Sequence, residues 1–389
     1  MAVVTETYPP EVNGVAHTLS RMLAGLRDRG HDIQLVRLRQ HFDDLPAQVP
    51  GFEEVVMPGV PIPRYPHLRM GLPCTRALTR LWSRRRPDVV HVATEGPLGW
   101  SAVRAARRLQ LPVVSDFRTN FHAYSHHYGI GWLRAPIVGY LRRFHNGTDA
   151  TMVPTAGLRD QLRRQGFAGL EVVARGVDTA QFEPARRSEA LRRQWGARPG
   201  TVVVQCVSRL AAEKNIALVW DAFRAIRRTA EDVRLVLVGD GPQRAELERL
   251  CAGAHFAGMR RGDDLAAHYA SADLFLFPSR TETFGNVVPE AMASGVPVVA
   301  FNEAAAAQLV QPGVSGLLAD SARPGQFIEL AVRAASEPRA LRNMGYQARA
   351  SAQRLAWSRV IEDLEAVLLR ACAARDTAQG PLSLRPANV

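Results

Sequence analysis

Through almost all of its 389 residues the chain alternates short apolar, β-type runs with longer segments of helical period, and this rhythm most restricts its fold. Runs such as Val202–Val207 and Leu235–Val238 read as strands buried on both faces, which implies parallel sheets covered by helices. In the first half, strands are expected at Val3–Thr5, Ile33–Leu38, Val89–Val92, Val113–Phe117 and Ala150–Val153. Helices are expected between them near Ala16–Arg29, Arg69–Arg84, Gly99–Leu109, Ile137–Asn146 and Ala156–Gln165. The second half repeats the rhythm, with strands at Val202–Val207, Leu235–Val238, Ala272–Phe277 and Pro297–Ala300. Its helices fall near Ile216–Arg228, Gln243–Cys251, Val287–Ala293 and Gln326–Ser336.

The length exceeds one ordinary core, so two domains are expected. The break falls in the polar, arginine-rich stretch around residues 179–200, which becomes a linker between an α/β domain at 1–178 and another at 201–355. A C-terminal helix at 356–374 is expected to pack back on the first domain, with a flexible tail at 375–389. Two doubly wound domains joined this way face each other across a cleft, with ligands at the carboxyl ends of their strands.

Composition narrows the function classes. No apolar run approaches the ~20 residues that span a bilayer, and MAVVTETYPP has no signal-peptide pattern. The four cysteines are scattered, without a CxxC, so a reducing cytosol is the expected setting. The formal charge is +12, concentrated in the first domain, which suits phosphorylated or anionic partners. Among 49 basic residues, Lys214 is the only lysine. A compact ammonium does work against a phosphate that a guanidinium does not, so its place in the chain matters.

The segment SRTETFGNVVPEAMASGVP, Ser279–Pro297, follows an apolar strand and enters a helix. Asn286 is placed as N-cap, with Pro289 at the third helical position, where a missing N–H costs nothing. Phe284, Gly285 and Asn286 then present backbone N–H groups at a helix start, a seat for a diphosphate that Gly285 lets approach closely. Glu282 and Glu290 flank this seat. They suit hydrogen bonds from sugar hydroxyls, though they read equally as a solvated loop residue and a first-turn carboxylate. In VSRLAAEKN, Val207–Asn215, Arg209 and the sole lysine stand at another strand's end, where two cations neutralise a diphosphate or simply flank a surface turn. Gly239 and Gly241 of VGDGP make a turn or a ligand contact, and the motif is not a dinucleotide fingerprint. Asn13-Gly14 in TETYPPEVNGVAHTL places a glycine at one more helix start.

Together these segments resemble, over nearly the whole chain, the family 4 retaining glycosyltransferases of GT-B fold. The most specific element is Glu-x7-Glu, met by Glu282 and Glu290, and DVVHVATEGPLG (Asp88–Gly99) and RGVDTAQF (Arg175–Phe182) add to it. TETYPPEVNGVAHTL and TNFHAYSHHYG look most like the bacterial branch of GDP-mannose-dependent α-mannosyltransferases. The resemblance implies that Glu290 binds the ribose, Glu282 the transferred sugar, and Arg209 with Lys214 the diphosphate. It adds the backbone from Phe284 through Gly285 and Asn286 to Val287, the VGDGP residues Gly239 and Asp240, and Gly14 from the other domain. No metal or other cofactor is implied, and the chain has no Asp-x-Asp. Retention by same-face attack is implied, with the departing diphosphate taking the acceptor proton, so leaving-group stabilisation is the protein's main contribution. Relatives often carry a histidine where this chain has Arg118, and His122 follows four residues on, so the acceptor-side role falls to Arg118 or His122. FNEAAAAQLV, Phe301–Val310, stands where relatives often have a glycine-rich loop.

Two basic amphipathic segments, Leu68–Arg86 and Trp132–His145, suit docking on anionic lipid, or else face the core with arginines outward. The expected partners are a nucleotide sugar and a lipid or glycan acceptor at the cytoplasmic membrane face, with peripheral membrane association. The favoured transfer is of mannose, and a UDP-hexose-dependent glycolipid synthase is the alternative. Nucleic-acid binding is the remote rival: aromatics are 7% and no stacking platform or reading helix is evident.

Overall fold

A computed structural model, described over residues 1–11, 14–41, 44–62, 65–118, 134–230 and 232–379, resolves the alternation into two sheets. The first has eight strands in the order Leu170–Val172, Ala150–Val153, Val113–Asp116, Val90–Val92, Ala2–Val4, Ile33–Leu38, Phe52–Met57 and Gln48–Val49. All are parallel except the last, which pairs antiparallel at the edge. The second has six parallel strands, ordered His255–Gly258, Val233–Val238, Val202–Val207, Leu274–Phe277, Val298–Phe301 and Gly316–Ala319.

Both sheets reverse their winding beside their first strand in sequence. Ala2–Val4 lies between Ile33–Leu38 and Val90–Val92, and Val202–Val207 between Val233–Val238 and Leu274–Phe277. At such a switch point the loops leaving adjacent strands part in opposite directions and open a crevice at the carboxyl ends. The segment before Gly14, the turn carrying Arg209 and Lys214, and the loop Ser279–Asn286 all leave strands at these two points.

Several elements escaped the periodicity. Phe52–Met57 carries two adjacent glutamates and is half exposed, and Leu170–Val172, His255–Gly258 and Gly316–Ala319 are three- or four-residue edge or near-edge strands. The helix expected from Arg69 begins only at Thr75, because Tyr65–Gly71 pairs with Gly59–Ile62 as a hairpin and Pro73 intervenes. The expected linker 179–200 is folded against the second sheet. Arg192 donates to the carbonyls of Ser271 and Thr201, and Arg187 to those of Ala270 and Ala272, so arginines that read as surface charge act as braces, Arg192 from a buried place and Arg187 from the surface.

Trp357–Gln379 forms a single helix, reaching into the segment expected as a tail, and residues 380–389 lie outside the described part. It returns to the first sheet and packs on the helix Gly14–Asp28, where a Cβ on Gly25 would sit 1.9 Å from Ile361 Cδ1. Arg29 forms an ion pair with Glu365 there at 2.6 Å, and His31 Nε2 lies 2.6 Å from the other carboxylate oxygen.

The arginine-rich helices turn out to be core elements with basic outer faces. Leu78 and Trp82 are fully buried, with Trp82 Nε1 donating to Gln34 at 3.0 Å, and Phe144 and Leu141 are buried likewise. Tyr140 remains exposed, and Trp132 lies outside the described residues.

Candidate functional site

The loop between Leu274–Phe277 and the helix Val287–Ala293 turns on Gly285, whose φ of +88° is a left-handed conformation that favours glycine. Asn286 does not cap this helix as expected. It already has helical dihedrals (φ −54°, ψ −27°), so its side chain cannot fold back on the first turn, and Oδ1 finds no partner among the described residues. The N–H of Val288 bonds back to Gly285 C=O, and none is recorded for Gly285, Asn286 or Val287 among the described residues. Phe284 is a core residue, 1% exposed, so only its backbone faces the loop. Gly14 opens the helix Gly14–Asp28 directly opposite: a Cβ there would lie 4.0 Å from Asn286 Nδ2. The cleft is therefore narrow at this point, with one helix start from each sheet.

The charges around the seat are paired rather than bare. Lys214 ends a short 3-10 turn, just before Asn215 takes the left-handed conformation that starts the helix Ile216–Ile226. Its ammonium forms an ion pair with Glu282 Oε1, which also accepts from Ser279 Oγ at 2.9 Å. An ammonium has three donors, so this pair leaves two for a phosphate. Arg209 lies at the mouth, half exposed, paired with the buried carboxylate of Glu213.

Glu290, one turn into its helix, accepts from Tyr269 Oη at 2.9 Å through Oε2. Burial pushes its carboxyl up from 4.5 to about 7, against the opposing pull of the tyrosine hydroxyl. Tyr269 is fully buried on the helix Gly262–Ala270, and the sequence reading missed it. It reads there as one more apolar position of a core helix, and its hydroxyl acquires meaning only beside Glu290.

Gly239 and Gly241 are explained by packing. A Cβ on Gly239 would fall 1.9 Å from Ser208 O and one on Gly241 2.4 Å from Leu210 O, so the two turns interlock backbone to backbone. Asp240 is exposed and held by Arg244 at 3.0 Å. Because Gly239 also has φ +130°, Gly239→Ala should cost about 2 kcal/mol, read as a lower urea midpoint with unchanged slope. The turn Phe301–Ala304 docks beside the seat, Ala305 N–H donating to Phe284 C=O at 2.8 Å, with Ala304 in the left-handed region at φ +50°.

On the acceptor side, Arg118 does not extend into the cleft. Its guanidinium binds Asp116 Oδ2 through Nε at 2.9 Å and Nη2 at 2.5 Å, and its side chain is 4% exposed. His91 Nε2 meets the same oxygen at 2.7 Å. Burial opposes a charged Asp116, but Arg118 and His91 bring its carboxyl down to about 2. Asp116 and His91 sit inside strands, where nothing in the local pattern sets them apart. His122 lies outside the described residues. Among the described residues no group of three or more His, Cys, Asp or Glu is arranged to hold a metal.

Two family models match the chain, one described as glycosyltransferase family 4 over residues 12–181 and one as glycosyl transferases group 1 over 201–337. The chain is 36% identical to a GDP-mannose-dependent alpha-mannosyltransferase of Mycobacterium tuberculosis, over 82% of this chain and 83% of that one. It is 34% identical to the protein of the same name from Corynebacterium glutamicum, covering 82% of this chain and 76% of the relative. Among solved structures, a sucrose-phosphate synthase from Thermosynechococcus elongatus superposes with a TM-score of 0.78 at 18% identity, over 96% of this chain and 99% of the other. At that identity the likeness shows the fold, which is GT-B.

Proposed function

The chain belongs to glycosyltransferase family 4, and from that premise we propose that it transfers mannose from GDP-mannose, with retention, to a lipid or glycan acceptor. The carrying observation is that the Lys214–Glu282 pair and Glu290 bracket one glycine turn that faces Gly14 of the other sheet. In this reading the free Glu290 oxygen accepts from the ribose hydroxyls. Lys214, with Arg209 at the mouth and the Gly285–Val287 backbone, takes the diphosphate. Glu282, held by Lys214 and Ser279, accepts from a hydroxyl of the transferred sugar. As the glycosidic bond breaks, negative charge gathers on the diphosphate oxygen, and the fixed ammonium and N–H groups stabilise it without reorganising. No step needs a carboxylate nucleophile.

The donor is tested by a thermal-shift series of GDP-mannose, UDP-glucose and ADP-glucose. GDP-mannose is expected to raise the melting temperature most, since a hundredfold excess over Kd contributes ~2.7 kcal/mol. A larger shift with UDP-glucose moves the reading to a UDP-hexose enzyme, and no shift with any sugar nucleotide removes it.

For the acceptor we propose a lipid presented at an anionic membrane face. Among the described residues no helix is long and apolar enough to cross a membrane. Val60 and Met70 are cross-strand partners in the hairpin, both exposed, and Leu72 follows them. Beside them the helix Thr75–Arg84 turns Arg76, Arg80 and Arg84 outward. Each such arginine is worth about 1 kcal/mol near an anionic surface. The protein is expected to float with phosphatidylglycerol vesicles and not with phosphatidylcholine ones. Reversing the three arginines to glutamate should abolish flotation, and equal flotation with both lipids contradicts the proposal.

A further inference from the structure

We propose that Arg118 is a positioning residue that acts through its backbone: its side chain is locked into the first sheet so that its carbonyl, with Thr283 and Arg175, clamps the cleft shut over the donor loop. The inference rests on the reading of Glu282–Glu290 as a donor site.

Arg118 follows directly on the strand Val113–Asp116, at its carboxyl end. Its guanidinium holds Asp116 as described and also lies 3.0 Å from Met22 Sδ, on the helix that Gly14 opens. Arg118, Asp116 and His91 are all buried. Turning this guanidinium into the cleft would leave the Asp116 carboxylate buried with half of its compensation gone, a costly rearrangement. What Arg118 presents across the cleft is its C=O. That oxygen accepts from Thr283 Oγ1 at 3.2 Å and from Arg175 Nη2 at 3.3 Å, and Arg175 Nη2 also donates to Thr283 Oγ1 at 3.3 Å. The directions are consistent, because the threonine hydroxyl accepts from the arginine and donates its own proton to the carbonyl.

The three corners belong to three separate parts of the chain. Arg118 ends a strand of the first sheet, and Arg175 lies just past that sheet's last strand, where the chain leaves for the second sheet. Thr283 sits between Glu282 and Phe284 in the donor loop. The triangle exists only when the two sheets stand in this relation. Opening exposes one hydroxyl and one carbonyl that water satisfies readily, so the clamp can break and reform during turnover. The buried ion pair below it anchors Arg118 at the end of its strand.

The decisive variant is Thr283→Val, which removes the hydroxyl at nearly constant volume, with Thr283→Ser as the conservative rescue. Asp116→Asn, which releases the Arg118 side chain, is the second. Small-angle X-ray scattering of the nucleotide-free and GDP-saturated proteins reads the closure directly. Thr283→Val is expected to show a larger radius of gyration than wild type in both states. It should also lower kcat for transfer about tenfold, the worth of the two part-buried hydrogen bonds that the hydroxyl makes, while the Kd for GDP changes less than about twofold. Thr283→Ser restores both readouts, and Asp116→Asn reproduces the opening. A purely structural role would lower the melting temperature of Thr283→Val and leave its scattering and kcat as in wild type, and that result overturns the clamp. Should wild-type protein not bind GDP, the donor reading fails, and the nucleotide-free scattering comparison still decides the clamp.

Discussion

Lys214→Ala is expected to lower kcat/KM for the sugar donor by about 10²–10³-fold, the effect of removing one preorganised donor to a developing charge. Two consequences of the change add. The diphosphate loses the only lysine in the chain, and the Glu282 carboxylate is left in a mostly buried place with Ser279 as its remaining side-chain partner among the described residues. An unpaired carboxylate next to the departing diphosphate repels it more as the bond breaks, so kcat should fall further than donor affinity. Lys214→Arg is expected to recover only part of the loss. The guanidinium is planar and wider than the ammonium, and its side chain would have to fit a place where lysine is only 12% exposed. A double-mutant cycle with Glu282→Gln measures how much of the loss is the stranded carboxylate, because that part disappears when both are changed. Activity of Lys214→Ala within threefold of wild type excludes the lysine from the reaction.

Glu290→Gln is expected to weaken GDP binding by about 10–100-fold and to erase a pH dependence that the wild type should show. With its carboxyl at about 7, Glu290 is mostly protonated at pH 6, and the ionised form accepts from the ribose hydroxyls more strongly than the neutral one. Wild-type affinity should therefore rise through pH 6 to 8 and level off above, with a midpoint near 7. The stability of the empty protein runs the other way. The folded carboxyl holds its proton more tightly than the unfolded one, at 4.5, so this contribution is complete below about pH 4.5 and is lost as pH rises through about 7. Ionising Glu290 then costs of order 1–3 kcal/mol at pH 8. The neutral glutamine still accepts from Tyr269, so Glu290→Gln should melt higher than wild type at pH 8 without nucleotide, and not at pH 5. Titration calorimetry at three pH values and melting curves without ligand check both halves. A variant that binds GDP like wild type at pH 8 would falsify the ribose assignment.

The two carboxylates also mark where local reading ends. The loop from Ser279, the glycine at 285 and the carboxylates at 282 and 290 were legible because loop, turn and helix start are adjacent in the chain. So was the importance of Lys214, since a lone lysine among arginines is visible without coordinates. Beyond Tyr269, three features of individual side chains were not legible. Asn286 has the composition of a cap, yet the positive φ of Gly285 delivers the chain to it already helical. Arg118 reads as a cleft residue, yet its charge is spent on Asp116, two residues before it, because strand and side chain turn inward together. Arg187 and Arg192 read as linker charge, yet carbonyls about eighty residues away accept them.

The sequence by itself determined the architecture: two largely parallel sheets, the strand ends where loops carry chemistry, and a family whose donor motif is contiguous. These follow from periodicity and from residues close together in the chain, and such information is local. Only the tertiary structure decided what each charge faces: Lys214 against Glu282, Tyr269 beneath Glu290, and the Arg118 carbonyl against Thr283. Hydrogen bonds and ion pairs act over about 3 Å, and that proximity is made by sheet order and domain apposition rather than by spacing along the chain.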